Sequence, residues 1–173
     1  MSVEDLVNKI DVVIIMGVCG CGKTTVGRRL ARSLGVAFKD ADEFHSATNI
    51  EKMKSGIPLN DDDRKPWLSA IHDYCKQYSP LVVGCSALKR SYRDVLREGL
   101  RCRFVFLKVN RSLLEARLNQ RKDHFMNPAL LDSQLATLED PSEEPDVITV
   151  RVEEEQSLEI LNNVIVQQLL QSL

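Results

Sequence analysis

Apolar positions along this chain fall into two alternating rhythms. Short runs built on β-branched or aromatic residues at 11–16, 36–40, 81–85, 104–109 and 147–152 predict strands. Between them the apolar residues return every three or four positions. Val26, Leu30, Ala31 and Leu34 share one face of a predicted helix, Arg28, Arg29 and Arg32 take the other, and Gly35 stops it. Similar patterning predicts helices over 67–74, 88–96 and 111–121, and Leu158, Leu161, Ile165 and Leu169 give the last helix its apolar face. Pro66 and Pro128 fit first helical turns, where a missing N–H costs little. Strands that alternate with helices imply a parallel sheet covered on both sides. The expected fold is therefore α/β: a five-stranded parallel sheet, doubly wound, with helices on both faces and one domain over residues 1–173.

The turn between the first predicted strand and helix carries the clearest chemistry. Gly17, Val18, Cys19, Gly20, Cys21, Gly22, Lys23 and Thr24 match G-x-x-x-x-G-K-[ST] in the strand-to-helix context that the phosphate-binding P-loop requires. Glycines let the backbone turn tightly and aim several N–H groups at phosphate oxygens, and the helix N-terminus adds positive potential. Lys23 is placed to reach the β and γ phosphates of ATP, Thr24 to ligate Mg²⁺, and Thr25 to continue the nucleotide-binding turn. Cys19 and Cys21 read either as small loop residues or as thiols whose pKa is lowered by the helix terminus and Lys23.

Composition narrows the partners. Lys and Arg total 23 against 25 Asp and Glu, so the basic surplus used to bind a nucleic-acid backbone is missing, and no nucleic-acid partner is expected. No apolar run approaches the roughly 18 residues of a membrane span, and the opening MSVEDLVNKI is acidic, so a cytoplasmic protein with no membrane partner is expected. The five cysteines are odd in number and form no C-x-x-C pair, which favours reduced thiols over disulfides or zinc.

A P-loop alone fits a nucleotide switch as well as a kinase. Asn8, Lys9, Ile10 and Asp11 spell N-K-x-D, but they precede the P-loop instead of following it, and no D-x-x-G accompanies them. The segments 40–45 (DADEFH), 56–68 (GIPLNDDDRKPWL), 85–97 (CSALKRSYRDVLR) and 124–139 (HFMNPALLDSQLATLE) instead resemble gluconokinases, within the shikimate and gluconate kinase group. The resemblance runs from about Val12 to the C-terminus, with the segments in order. It implies ATP-dependent phosphorylation of D-gluconate to 6-phospho-D-gluconate, feeding the pentose phosphate pathway, and it leaves a homodimer as an expectation. Kinases of another polar metabolite such as shikimate, and a nucleotide-dependent switch or binding module, are the competing readings.

Asp40 and Asp42 resemble the D-x-D element of shikimate-type kinases, which implies that Asp42 orients the acceptor hydroxyl and that Asp40 holds Mg²⁺ through water. A gluconate-like substrate brings a carboxylate, and a guanidinium fork suits it. Arg64 matches the carboxylate-holding arginine of those kinases, against the alternative of a surface pair with 61–63. Lys89 and Arg93 lie four apart on a predicted helix and so share a face, toward substrate or toward solvent. Arg117 and Arg121 repeat that spacing and open a polar segment, about 117–127, which reads as a lid over ATP or as an ordinary basic helix end. His124 and Gln134 are substrate contacts through the resemblance, with structural roles as the alternative. Gluconokinases typically carry glycine before that histidine, and Asp123 here departs from the pattern in the lid.

Overall fold

The computed structural model describes residues 1–120 and 128–173. Strand β1 (Val12–Met16) is buried at all five positions, as its unbroken apolar run requires of a central parallel strand. It is joined by β2 (Ala37–Asp40), β3 (Leu81–Gly84), β4 (Cys102–Val109) and β5 (Val147–Val152) in the order β2-β3-β1-β4-β5. Every pairing is parallel. The described helices are α1 (Val3–Lys9), α2 (Lys23–Leu34), α3 (Ala47–Lys54), α4 (Asp61–Tyr78), α5 (Arg90–Arg97), α6 (Arg111–Gln120), α7 (Pro128–Thr137) and α8 (Leu158–Gln171), with a 3-10 turn at Ala41–Phe44.

Successive strand residues point to opposite faces, and the two faces have different partners. Val13, Ile15, Val82, Val105 and Val150 pack with apolar residues of α1, α2 and α8, whereas Ile14, Met16, Val83, Phe104 and Phe106 pack with those of α4 and α5. Gly27 sets the fit on the first face. A Cβ there would stand 2.4 Å from the Phe38 ring, so α2 lies against β2 only because Gly27 lacks one. The chain leaves β1 for the β2 edge, returns to β3, and then crosses to β4 and β5 on the other side. That reversal opens a crevice at the carboxyl ends of the central strands, where ligands of open α/β sheets bind.

Helix starts follow their caps. Ser2 and Asp5 form a reciprocal capping box at α1, Ser46 caps α3, and Asn60 with Asp63 forms a box at α4. Pro128 opens α7 as expected. Pro66 does not open α4. The Asn60 box starts that helix five residues earlier, at Asp61, so Pro66 lies inside it. Pro66 is exposed, as is Asp62, whose carbonyl loses the i+4 donor, and water can serve that oxygen.

One charged group lies wholly inside. Arg93 is 0 % exposed and donates through Nε and Nη2 to both Glu144 oxygens, through Nη1 to the Ala87 carbonyl and through Nη2 to the Glu139 carbonyl. Arg97 reaches the same Glu144 at 2.5 Å and Asp146 at 2.9 Å. Arg93 therefore turns neither to substrate nor to solvent in this structure, the two directions its sequence left open, and spends its donors on interior acceptors. The shared-face argument fails because Lys89 is the N-cap of α5, in extended conformation, so only Arg93 obeys the helical spacing. Replacing Glu144 with Ala strands a buried guanidinium and is expected to cost about 3–5 kcal/mol, read from the midpoint and slope of urea unfolding. A loss below about 1 kcal/mol would show that water already serves Arg93.

Candidate active site

β1 runs straight into the loop 17–22, whose conformation depends on glycine at both ends. Gly17 has φ +147°, and a Cβ on it would stand 2.8 Å from Cys21 Sγ and 3.1 Å from the Leu107 carbonyl. Gly22 has φ +99° and caps α2 without a side-chain hydrogen bond. The amides of the first turn of α2 therefore have no side-chain cap and form an anion-receptive terminus. Lys23 Nζ is folded back on its own loop, donating to the carbonyls of Gly17 at 3.0 Å and Val18 at 3.1 Å. It also lies 3.8 Å from Cys21 Sγ.

The end of β2 is brought to this loop by a second box. The Asp40 carboxylate accepts the Asp42 amide through Oδ1 at 2.9 Å, while Glu43 accepts the Asp40 amide at 3.2 Å. The box fixes the Ala41–Phe44 turn and aims Asp40 Oδ2 at Thr24 Oγ1, which donates to it at 3.5 Å. Trp67 is buried and pins the same turn by donating from Nε1 to the Ala41 carbonyl at 2.7 Å.

Asp42 itself stands clear of the box, with its side chain 85 % exposed. Protein around the cleft and the adjacent Asp40 charge push its carboxyl above the ordinary range, partly offset by His45 and Lys23. Both descriptions fit a carboxylate at a cleft mouth, ringed by protein at medium range and open to water above. The His45 ring is only 5 % exposed, stacks on Trp67 with centroids 4.4 Å apart, and approaches Asp42 at 3.9 Å. Burial lowers its pKa, opposed by Asp42 and reinforced by Arg64, so the ring is neutral at pH 7. Asn49 Nδ2, already donating to the Asp63 carbonyl, faces His45 Nδ1 at 3.4 Å, which assigns the ring proton to Nε2 on the Asp42 side.

Arg64 and Lys89 meet on the far side of this cleft. Arg64 Nη1 donates to Tyr92 Oη at 3.2 Å, and Lys89 Nζ donates to Asp61 at 3.1 and 3.3 Å. Arg117 bonds the Gly20 carbonyl at 3.0 Å through Nη1 and is held by Glu155 at 2.7 Å through Nε, which places it against the phosphate loop. Gln134 also lies on that loop: its Oε1 accepts the Cys19 amide at 2.6 Å. Arg121, Asp123 and His124 lie outside the described residues, as does the part of the expected lid beyond Gln120. Three groups were not anticipated as part of the site: Tyr92, Asp61 and Asn49. Asp61 was hidden in a run of three aspartates, and nothing in the sequence separates Tyr92 from a packing aromatic.

The oxygen donors suit a hard cation. Thr24 and Asp40 are adjacent beside the phosphate loop, and their oxygens would suit such an ion; among the described residues no group of three or more His, Cys, Asp or Glu able to hold a metal occurs. Three buried thiols do not suit chemistry at neutral pH: burial pushes Cys75 and Cys85 up to about 12 and Cys102 well above its ordinary value. A hollow of about 510 Å³ beside β5 and α8, lined by Ser142, Thr149, Arg151, Val164 and Gln168 among others, contains none of the site groups.

The shikimate kinase family model matches residues 19–172. The chain is 50 % identical over 143 residues to a probable gluconokinase of Dictyostelium discoideum, a match covering 76 % of this chain and 72 % of that one. It is 45 % identical over 149 residues to the thermoresistant gluconokinase of Escherichia coli K12, covering 83 % and 85 %. Among solved structures, a gluconokinase from Sinorhizobium meliloti 1021 superposes with a TM-score of 0.82 at 43 % identity, covering 92 % of this chain and 91 % of that one. A shikimate kinase from Acinetobacter baumannii shares the fold, with a TM-score of 0.67 at 21 % identity and 98 % of each chain covered.

Proposed function

The chain belongs to the shikimate kinase family and, within it, to the gluconokinases; we propose that Lys23, Asp42 and Arg64 carry the transfer of the ATP γ-phosphoryl group to D-gluconate, giving 6-phospho-D-gluconate. The observation that carries this assignment is the placement of Asp42. It lies in the mouth of a cleft, with the His45 ring 3.9 Å away on one side and Lys23 of the phosphate loop within electrostatic reach on the other, and Arg64 is in turn within electrostatic reach of His45.

Phosphoryl transfer passes through a loose transition state, so the protein mainly positions reactants and offsets charge. The loop 17–22 and the N-terminus of α2 receive the polyphosphate, and Lys23 exchanges the Gly17 and Val18 carbonyls for phosphate oxygens. Thr24 and Asp40 are the residues that would hold Mg²⁺, which supplies charge neutralisation on the phosphates. Asp42 accepts a hydrogen bond from the acceptor hydroxyl and aligns its oxygen with the γ-phosphorus. As the new phosphorus–oxygen bond forms and the bond to ADP breaks, the hydroxyl proton passes to Asp42, whose raised pKa suits it to take that proton. Arg64 offers its remaining N–H donors to the gluconate carboxylate. Arg117 and Gln134 hold the phosphate loop by its backbone.

Arg64→Ala is expected to raise the gluconate KM at least about tenfold, the scale for a hydrogen bond to a charged group, and to leave the ATP KM nearly unchanged. Lysine should restore only part of the loss, since it cannot present a fork. Steady-state kinetics with each substrate varied in turn, run beside a panel of other sugar acids and shikimate, checks both points. Equal effects on the two KM values would give Arg64 a structural role, and turnover of shikimate without gluconate would overturn the substrate assignment.

A further inference from the structure

Tyr92 is 5 % exposed, yet its hydroxyl is the hub of a polar cluster at the cleft. The Oη donates to Asp61 Oδ1 at 2.5 Å and accepts from Arg64 Nη1 at 3.2 Å. Asp61 also takes Lys89 at 3.1 Å, and the Arg64 and Lys89 cations both lie over the Tyr92 ring, 5.6 and 5.7 Å from its centroid. Arg64 follows three aspartates in sequence, and a guanidinium so placed would ordinarily close an ion pair with one of them. The carboxylates in reach are occupied instead. Asp63 is held by Lys52 at 2.8 Å and by the Asn60 amide, and Asp61 by Tyr92 and Lys89. Arg64 is left with a neutral acceptor, and it forms no ion pair among the described residues.

We propose that Tyr92 is a positioning residue for the acidic end of the substrate: its phenol, anchored by Asp61, orients Arg64 without neutralising it, so that the guanidinium keeps its charge and its unused N–H edge for an incoming carboxylate. Counting the cluster supports this. Arg64 and Lys89 bring two positive charges and Asp61 one negative, leaving one net positive charge to meet a monoanion. The phenol stays protonated, because burial and the hydrogen bond to Asp61 raise its pKa. A carboxylate in its place would cancel Arg64, and an apolar residue would leave the guanidinium to the neighbouring aspartates.

The inference rests on Arg64 as the carboxylate-binding residue, and the test separates the two. Tyr92→Phe keeps the ring and removes the hub. It is expected to raise the gluconate KM about three- to tenfold, the net scale of one hydrogen bond, with kcat and the ATP KM unchanged. In the Arg64→Ala background the same change should have no further effect, because the phenol acts through the guanidinium. An unaltered gluconate KM in folded Tyr92→Phe, or an equal rise in the Arg64→Ala background, overturns the role of Tyr92 while leaving Arg64 standing. A parent enzyme that does not turn over gluconate, or an Arg64→Ala variant with normal gluconate KM, fails the underlying assignment instead.

Discussion

Asp42→Asn is expected to lower kcat by about 10²–10⁴, the contribution of a positioned base, while ATP affinity and the gluconate KM change little. An interaction that strengthens in the transition state affects the chemical step more than ground-state binding. Asparagine keeps the shape and the hydrogen-bonding reach but cannot take the proton. The free protein offers an independent check. Asp42 should titrate above the usual aspartate range, since surrounding protein and the Asp40 charge both disfavour its ionised form. Asp40→Asn should bring that titration down, and asparagine retains the capping geometry of the turn. Because the ionised carboxylate is the working form, activity is lost as pH falls through this raised pKa, and that acid limb should disappear in Asp42→Asn. NMR titration, a pH–rate profile and calorimetric ATP binding together decide the matter. A near-normal kcat would sink the assignment, and a collapse of ATP binding would move Asp42 to the metal side with Asp40.

Lys23→Ala should also reduce kcat, by about a hundredfold or more, as for removal of one preorganised charge donor. The structure adds a sharper expectation about binding. Lys23 already makes two hydrogen bonds to its own loop, to Gly17 and Val18, so ATP exchanges its partners and does not supply first ones. The calorimetric loss of ATP affinity should therefore be smaller than the loss of kcat. Gly17 and Val18 are buried, so the loss of this donor to their carbonyls should cost some thermal stability, and thermal unfolding checks that the variant remains folded. Undiminished turnover in the folded variant would remove Lys23 from the mechanism.

The sheet was legible because burial writes itself into composition: Val147–Val152 matches the run predicted, and β1 differs from its predicted bounds by one residue. β4 begins two residues before its predicted start because Cys102 and Arg103 pair with Val12 and Val13, and register is a property of two strands together. Helices governed by caps were less legible than those governed by apolar spacing. Asn60 with Asp63 moved the start of α4 and took Pro66 inside it, and Ser46 starts an α3 with little apolar face. In the site, the P-loop was readable as a local motif whose glycines are dictated by backbone geometry. Arg93 was not, because its partners Glu139 and Glu144 are remote in sequence, and long-range pairing decides whether an arginine points in or out.

The burial of Arg93 sets a limit on how this enzyme can be redesigned. A buried ion pair can often be exchanged for apolar side chains of similar volume with no loss, since the exchange removes two desolvated charges at once. Here the guanidinium also serves the carbonyls of Ala87 and Glu139, and Ala87 holds a left-handed conformation at φ 45° in the stretch between β3 and α5. Swapping Arg93 and Glu144 for leucine and methionine would leave two main-chain acceptors without donors, each costing about 1–3 kcal/mol. It would also release the turn that leads into Lys89, the N-cap residue held by Asp61. A stabilised variant sought by apolar repacking of this interior should therefore gain nothing in melting temperature and should lose affinity for the acid while its nucleotide loop stays intact.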